Sequence, residues 1–308
     1  MNQNTAGATN YQRLQDRYNP DGNESSKPYV LITGGSDGIG KQMALEFARS
    51  GFNLLLVSRS LEKLAHAKQE IQQEVPNASI IIESHDFSQN DMVGMRDMFT
   101  KIQQAGLNLK ILVNNVGVID RSLLMYSDPQ AIQDQIIVNV YSEVFMTKYF
   151  REYIRMKTTL QQQANYTYNS FLNPVRYGEI HLSSFLSEYL GVNRCIYSAT
   201  KRFTNVFCKS TSFQNFNSSA LKTLDYLVVK PSLTKTEMTK GIEHWRSELP
   251  ENVAYGALRS LGIKNEIYGA WKHESWASLV KYEPHPLYLY NALREGQKKS
   301  IVQQVEQK

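Results

Sequence analysis

The sequence predicts an α/β fold: one doubly wound domain around a seven-stranded parallel sheet. Three observations carry that prediction. Short, β-rich apolar runs alternate with segments of helical period along most of the chain. The first run, Tyr29-Val30-Leu31-Ile32, turns through Thr33-Gly34-Gly35-Ser36-Asp37-Gly38-Ile39-Gly40 into a helical stretch. That is the arrangement in which glycines bring backbone close to phosphate and a helix start offers its N–H groups and positive dipole end. The third is size: 308 residues with 42% hydrophobic content suffice for one large core but not for two comfortable ones.

Taken in order, the strands are expected at Tyr29–Thr33, Asn53–Ser58, Ser79–Glu83, Lys110–Asn114, Glu179–Ser183, Leu224–Val229 and Ile267–Trp271. Helices fill the intervals at 39–50, 61–74, 91–105, 130–157 and 197–213. Residues 234–262 are expected to form a helical flap over a substrate. Residues 275–303 read as C-terminal helices rich in aromatics, with Trp276, Tyr282, Tyr288 and Tyr290. The segment 158–176 is polar, aperiodic and longer than a helix-to-strand link needs, which marks it as an insertion. Residues 1–27 are of different material, with one leucine and no Ile, Val or Phe, and with Arg13, Arg17 and Lys27 balanced by Asp16, Asp21 and Glu24. Such a tail is not expected to bury enough apolar surface to order itself. The folded domain is accordingly placed at 28–308.

Composition narrows the function classes. The net charge of +5 is spread among acids without a basic block, so nucleic acid is not an expected partner. Two cysteines, Cys195 and Cys208, fit a reducing compartment rather than a disulfide framework. No apolar stretch approaches the length of a membrane span or a signal peptide. The six histidines share no metal-like spacing, so no metal site is expected, and His85 reads as incidental.

Downstream of the glycine turn stands Tyr197-Ser198-Ala199-Thr200-Lys201, which puts a tyrosine and a lysine one turn apart on one helix face. Together, the T-G-x-x-x-G-x-G spacing of residues 33–40 and this Y-x-x-x-K resemble the short-chain dehydrogenase/reductase family, over roughly residue 28 to the C-terminus. The resemblance implies a Rossmann-type fold and carbonyl–alcohol redox chemistry on a nicotinamide cofactor. It implies that Tyr197 is the proton donor and that Lys201 lowers its pKa and holds the nicotinamide ribose. A family serine thirteen residues before the tyrosine selects Ser184 over Ser183 to orient the substrate oxygen. Asn139, in a long helix after the fourth strand, is the implied fourth catalytic residue and Asn114-Asn115-Val116-Gly117 matches the family's N-N-x-G.

The same resemblance places cofactor contacts at Thr33, Gly34, Ser36, Asp37, Gly38, Ile39, Gly40, Asp86, Asn115, Gly117, Tyr197, Lys201, Pro231 and Thr234. At the end of the second strand, where NAD enzymes carry a carboxylate, Ser58-Arg59 offers a hydroxyl and a guanidinium suited to a 2′-phosphate, so NADPH is the expected cofactor. Finer details, among them Leu55-Leu56-Val57-Ser58-Arg59-Ser60, Asn114-Asn115-Val116-Gly117-Val118 and Pro231-Ser232-Leu233-Thr234-Lys235-Thr236, resemble the very-long-chain 3-oxoacyl-CoA reductases, also called type 12-like 17-beta-hydroxysteroid dehydrogenases.

That subgroup implies a long-chain acyl or steroid ketone substrate and a place at the periphery of the endoplasmic reticulum. The polar start of the chain leaves the cytoplasm open, with peripheral membrane contact through the aromatic C-terminal helices. A homodimer through the helices at 130–157 and 197–213 is implied by the family. The alternative reading is a catalytically quiet accessory subunit of a larger, mitochondrial assembly that binds NADPH structurally. The ordered motifs favour the enzyme.

Overall fold

Val30, Leu31 and Ile32 show no polar alternation because both faces of their strand are covered: Val30 and Ile32 join one buried layer and Leu31 the other. A computed structural model of the chain describes residues 3–20, 27–163, 175–189, 191, 193–241 and 243–281. Its strands are β1 (Tyr29–Thr33), β2 (Asn53–Ser58), β3 (Ile80–Ser84), β4 (Leu109–Asn114), β5 (Tyr177–Leu182), β6 (Leu224–Val229) and β7 (Glu266–Ile267). They form one parallel 7-stranded sheet in the order β3-β2-β1-β4-β5-β6-β7. The chain winds outward from β1 to β3 and then returns past β1 to β4. The carboxyl ends of β1 and β4 therefore diverge into a crevice, the place where such sheets bind ligands.

On one face lie α1 (Gln3–Tyr18), α2 (Gly38–Arg49), α3 (Leu61–Glu74) and α8 (Pro250–Ser260), with Met43, Phe47, Leu64, Ile71, Val253 and Leu258 in a common core. On the other lie α4 (Met92–Gln104) and α6 (Ser142–Gln163), which bury Met98, Phe99, Met146 and Phe150. Beside α6 runs α7 (Cys195–Asn215), tied to it by polar side chains, and α9 (Trp271–Lys281) follows β7. The helix expected over 130–157 is two helices, α5 (Pro129–Ile136) and α6, joined by a π turn over Ile137–Tyr141.

Three expectations need correction. The seventh strand ends at Ile267 rather than running to Trp271, because the chain turns at Gly269 and Trp271 opens α9. The stretch 234–262 is not one flap: its helical part, α8, is a core helix packed on the sheet, while Thr236, Glu237 and Met238 reach the crevice. The tail is also more than a tail, since residues Gln3–Tyr18 form α1. The insertion's residues 164–174 and the tyrosines Tyr282, Tyr288 and Tyr290 lie outside the described residues.

What orders α1 is two anchors and a set of charged contacts. Leu14 and Tyr18, one turn apart, are fully buried. Arg17 donates two hydrogen bonds to Asp225, both 2.7 Å, and the Tyr18 hydroxyl donates a third of 2.9 Å. Arg13 donates to the Leu258 carbonyl at 2.7 Å and the Leu261 carbonyl at 2.9 Å, capping the end of α8. Leu14→Ala is expected to cost about 2–5 kcal/mol, read as a lower thermal midpoint. A change within about 0.5 kcal/mol would show that α1 adds nothing to the domain.

Candidate active site

The crevice opens on a glycine turn whose shape is set by its neighbours. Gly34 has φ +65°, in the left-handed region, and a Cβ on Gly40 would overlap the Asn115 side chain and the Gly34 carbonyl. Asn115 holds the turn from the far side, donating from Nδ2 to the carbonyls of Thr33 (2.9 Å) and Gly34 (3.0 Å). The Thr33 hydroxyl accepts from the N–H groups of Asn115 (3.0 Å) and Val116 (3.1 Å) and donates to the Val113 carbonyl (3.2 Å). The loop is thus rigid before anything binds. At the start of α2, Asp37 is extended and its side chain makes no cap, so the first turn's N–H groups have no side-chain acceptor.

A cavity of about 700 Å³ runs from this turn to Tyr197. Of the residues the sequence singled out for cofactor contact, Gly34, Ser36, Asp37, Gly38, Ile39, Ser58, Arg59, Asp86, Asn115, Gly117, Tyr197, Lys201 and Pro231 line it. Thr33 and Gly40 sit behind the wall and shape it. Thr234 does not reach it: the side chain is buried and donates to the Ser232 carbonyl, and Thr236 takes the wall position instead. Near the second strand, Ser36 donates to Ser58 at 3.1 Å, and Lys63 pairs with Glu237 at 2.7 Å across the mouth. Asp86 accepts from the Ser88 N–H and hydroxyl, which hold its carboxyl below its usual range. His85, read as incidental, also lines the cavity and stacks edge-on with Phe87, 4.7 Å between centroids.

At the other end the four expected catalytic positions come together. The π turn presents Asn139, whose Oδ1 accepts from Val118 N–H (2.8 Å) and whose Nδ2 donates to the Val118 carbonyl (2.9 Å) and Thr200 (3.1 Å). A Cβ placed on Gly117 would stand 3.3 Å from Asn139 Oδ1 and 3.4 Å from Lys201 Nζ, so both groups meet at this glycine. Lys201 donates to the Leu182 carbonyl at 2.7 Å, and its ammonium lies 5.9 Å from the Tyr197 ring centroid. Ser183 lines the cavity but its hydroxyl is engaged, donating to the Lys201 carbonyl at 2.9 Å, whereas Ser184 is not among the lining residues. Ser184 faces Tyr197 and also accepts from the Leu186 N–H at 3.2 Å.

The electrostatics differ from expectation. Burial raises the Tyr197 pKa above its ordinary value, and a hydrogen bond with Ser184 and the charges of Arg194 and Arg121 only partly offset it. Burial also lowers the Lys201 pKa, opposed by the charge of Glu143. Burial thus outweighs the groups that favour the phenolate, and the Tyr197 pKa stands above its ordinary value rather than below it. The phenol keeps its proton through the neutral range, the state a proton donor needs.

Beneath the site is a polar cluster that linear spacing did not reveal. His181 Nδ1 lies 2.8 Å from Glu143 Oε1, Thr204 donates to Glu143 Oε2 at 2.6 Å, and the Cys208 thiol points at Oε1 from 3.9 Å. Arg151 clamps Glu179 with bonds of 3.0 and 2.8 Å. Glu143, His181 and Cys208 hold three ligand atoms within 4.8 Å of one another. Hydrogen bonds already occupy both oxygens of Glu143, so we read the group as an ion network rather than a metal cage.

Rigid glycine turn, uncapped helix start and buried Tyr–Lys–Asn–Ser set together define an oxidoreductase of the one-domain dinucleotide type. Comparison with known proteins agrees. The short chain dehydrogenase model matches residues 28–164. A very-long-chain 3-oxoacyl-CoA reductase from Bos taurus is 29% identical over 87% of this chain and 79% of its own length. The 17-beta-hydroxysteroid dehydrogenase type 3 of Homo sapiens is 28% identical over 83% and 75%. Among solved structures, a 7beta-hydroxysteroid dehydrogenase superposes with TM-score 0.69 at 19% identity, over 91% of this chain and 98% of that one. A short-chain dehydrogenase from Sphingobium yanoikuyae, in complex with NADPH, gives 0.62 at 19% identity over 89% and 95%; these two likenesses speak to the fold. The chain is thus similar to the short-chain dehydrogenase/reductase family, whose model it matches over residues 28–164. No helix among the described residues is long and apolar enough to cross a membrane.

Proposed function

We propose that this oxidoreductase reduces a ketone with NADPH, the substrate being a long-chain 3-oxoacyl-CoA, with steroid ketones as the second class. The observation that carries the reading is the meeting of Lys201 and Asn139 at Gly117, with Tyr197 lining the same end of a cavity that begins at an uncapped helix N-terminus. The residues fit the cofactor. The first turn of α2 and the Gly40 cradle suit a pyrophosphate, and Ser58 and Arg59 suit a 2′-phosphate. A reduced nicotinamide, when bound, supplies the hydride for the carbonyl carbon. Tyr197 gives its phenolic proton to the carbonyl oxygen, so ketone becomes alcohol. Ser184 orients that oxygen by donating to it, and Lys201 replaces the proton lost from Tyr197 and grips the ribose. Asn139 holds the loop at Val118 and supports the lysine's side of the site.

The names of the two sequence relatives support the substrate classes, and exposed Val206 and Phe213 on α7 support a homodimer. The test is NADPH consumption by the purified protein with a long-chain 3-oxoacyl-CoA and with steroid ketones. Tight NADPH binding with no turnover on either class would return the weight to a structural role. Arg59→Ala is expected to raise the apparent KM for NADPH about 10–100-fold and leave that for NADH nearly unchanged, the loss of one charge-assisted phosphate contact. An unaltered preference between the two cofactors removes Arg59 from the phosphate site.

A further inference from the structure

We infer that Glu143 is a positioning residue for the proposed reduction: its carboxylate, gripped by His181 and Thr204, ties β5, α6 and α7 together directly behind Asn139 and Lys201 and supplies a negative charge that favours the buried ammonium. The inference rests on the reductase reading above and adds to it a residue outside the four catalytic positions.

The geometry is a ladder of two rungs. Asn139 and Glu143 stand one helical turn apart, as do Thr200 and Thr204 on α7. Asn139 donates to Thr200 at 3.1 Å and Thr204 donates to Glu143 at 2.6 Å, so the two rungs bracket Lys201. The third side is β5, where Leu182 accepts the lysine's ammonium and its neighbour His181 binds Glu143. The lysine's ammonium contact at Leu182 thus lies one residue from a partner of this carboxylate.

Charge gives the arrangement its purpose. Lys201 is buried, and an ammonium in a low-dielectric pocket needs a nearby counter-charge. Tyr197 on its own helix and Glu143 on α6 are the titratable groups next to it, and behind Glu143 lie His181 and Glu179 on β5, Arg151 on α6 and Cys208 on α7. Arg151 is neutralised by Glu179, with which it forms a two-bond pair. Burial keeps the Cys208 thiol protonated, pushing it up to about 11. Glu143 is the group whose charge acts on Lys201 and favours its protonated form. His181 lies between Glu143 and Glu179, at 2.8 and 3.7 Å, and orients Glu143 while sharing its charge.

The test compares wild type with Glu143→Gln, Glu143→Asp and Cys208→Ala, measuring kcat and KM for ketone reduction across pH, thermal midpoint, and NADPH affinity by fluorescence across pH. Glu143→Gln should lower kcat about tenfold with KM little changed, and move the alkaline limb of kcat about one unit toward lower pH, because Lys201 loses the charge that keeps it protonated. Glu143→Asp, which keeps the charge, should return most of the limb. Cys208→Ala touches the same cluster without altering its charge and should lower only the midpoint. Should Glu143→Gln not fold, Thr204→Val replaces it, with the same direction and a smaller shift. A Glu143→Gln enzyme that loses thermal stability but keeps the wild-type kcat and pH limb overturns the inference. Should wild type reduce no ketone, the reductase reading fails by itself, and the pH limb of NADPH affinity still reports whether Glu143 governs Lys201.

Discussion

Tyr197→Phe is expected to lower ketone reduction by about a thousandfold or more while NADPH affinity and the thermal midpoint stay close to wild type. The size follows from what the hydroxyl does. A positioned general acid contributes about 10²–10⁴ in rate, and phenylalanine offers no proton at that point. The hydroxyl's structural share is small: it exchanges a hydrogen bond with Ser184, worth about 1 kcal/mol. The ring, which fills the buried end of the cavity, is retained. Because burial holds the Tyr197 pKa above its ordinary value, wild-type reduction should be flat with pH across the neutral range and fall only on the alkaline side. The reverse oxidation needs the phenolate and should rise with pH over the same span. Full turnover by Tyr197→Phe would remove Tyr197 as donor and leave Ser184 as the nearer candidate.

The parts of this molecule that could be read from its sequence are those governed by local pattern. The strands at Tyr29–Thr33, Asn53–Ser58 and Leu224–Val229 have the expected bounds because each is built on a short β-rich run whose middle or end is buried in the sheet. The candidate set of Asn139, Ser184, Tyr197 and Lys201 was legible because Tyr197 and Lys201 stand one turn apart and the family resemblance they carry implied the other two. Helix α1 was not, since bulk composition hides the fact that its apolar side chains Leu14 and Tyr18 share a face and that Arg13 and Arg17 meet partners more than two hundred residues away. The cluster beneath the site was hidden for a similar reason. Glu143 and Arg151 lie on α6, Glu179 and His181 on β5, and Thr204 and Cys208 on α7. One signal was present: Glu179 and His181 alternate with Ile180 in a strand buried at every position, and two charged groups on one face of such a strand must meet partners.

That requirement leads to the largest expected effect on stability. Arg151→Met should destabilise the protein by about 3–5 kcal/mol, because Glu179 has no solvent exposure and would be left with an uncompensated charge. Burial alone would push the Glu179 pKa up; Arg151, then His181, holds it below its ordinary value. A carboxylate with a depressed folded pKa contributes stability that is present above its unfolded value and lost as pH falls through its folded one. Without Arg151 the balance reverses, since burial raises the Glu179 pKa above that of the unfolded chain. The variant's deficit should then be greatest near neutrality and shrink as pH falls toward about 4, where the unfolded carboxylate also takes up a proton. His181 limits the size of that change, because it stands 3.7 Å from Glu179 and its own pKa is raised well above the ordinary value: burial opposes its charge, but the carboxylates of Glu143 and Glu179 outweigh burial. The double variant Arg151→Met with Glu179→Gln removes both charges and should recover most of the loss. Denaturant unfolding of wild type and the two variants at neutral and acidic pH measures each term. A deficit in Arg151→Met that is the same at both pH values would mean that packing of the arginine's stem, and not the charge of Glu179, is what this pair contributes.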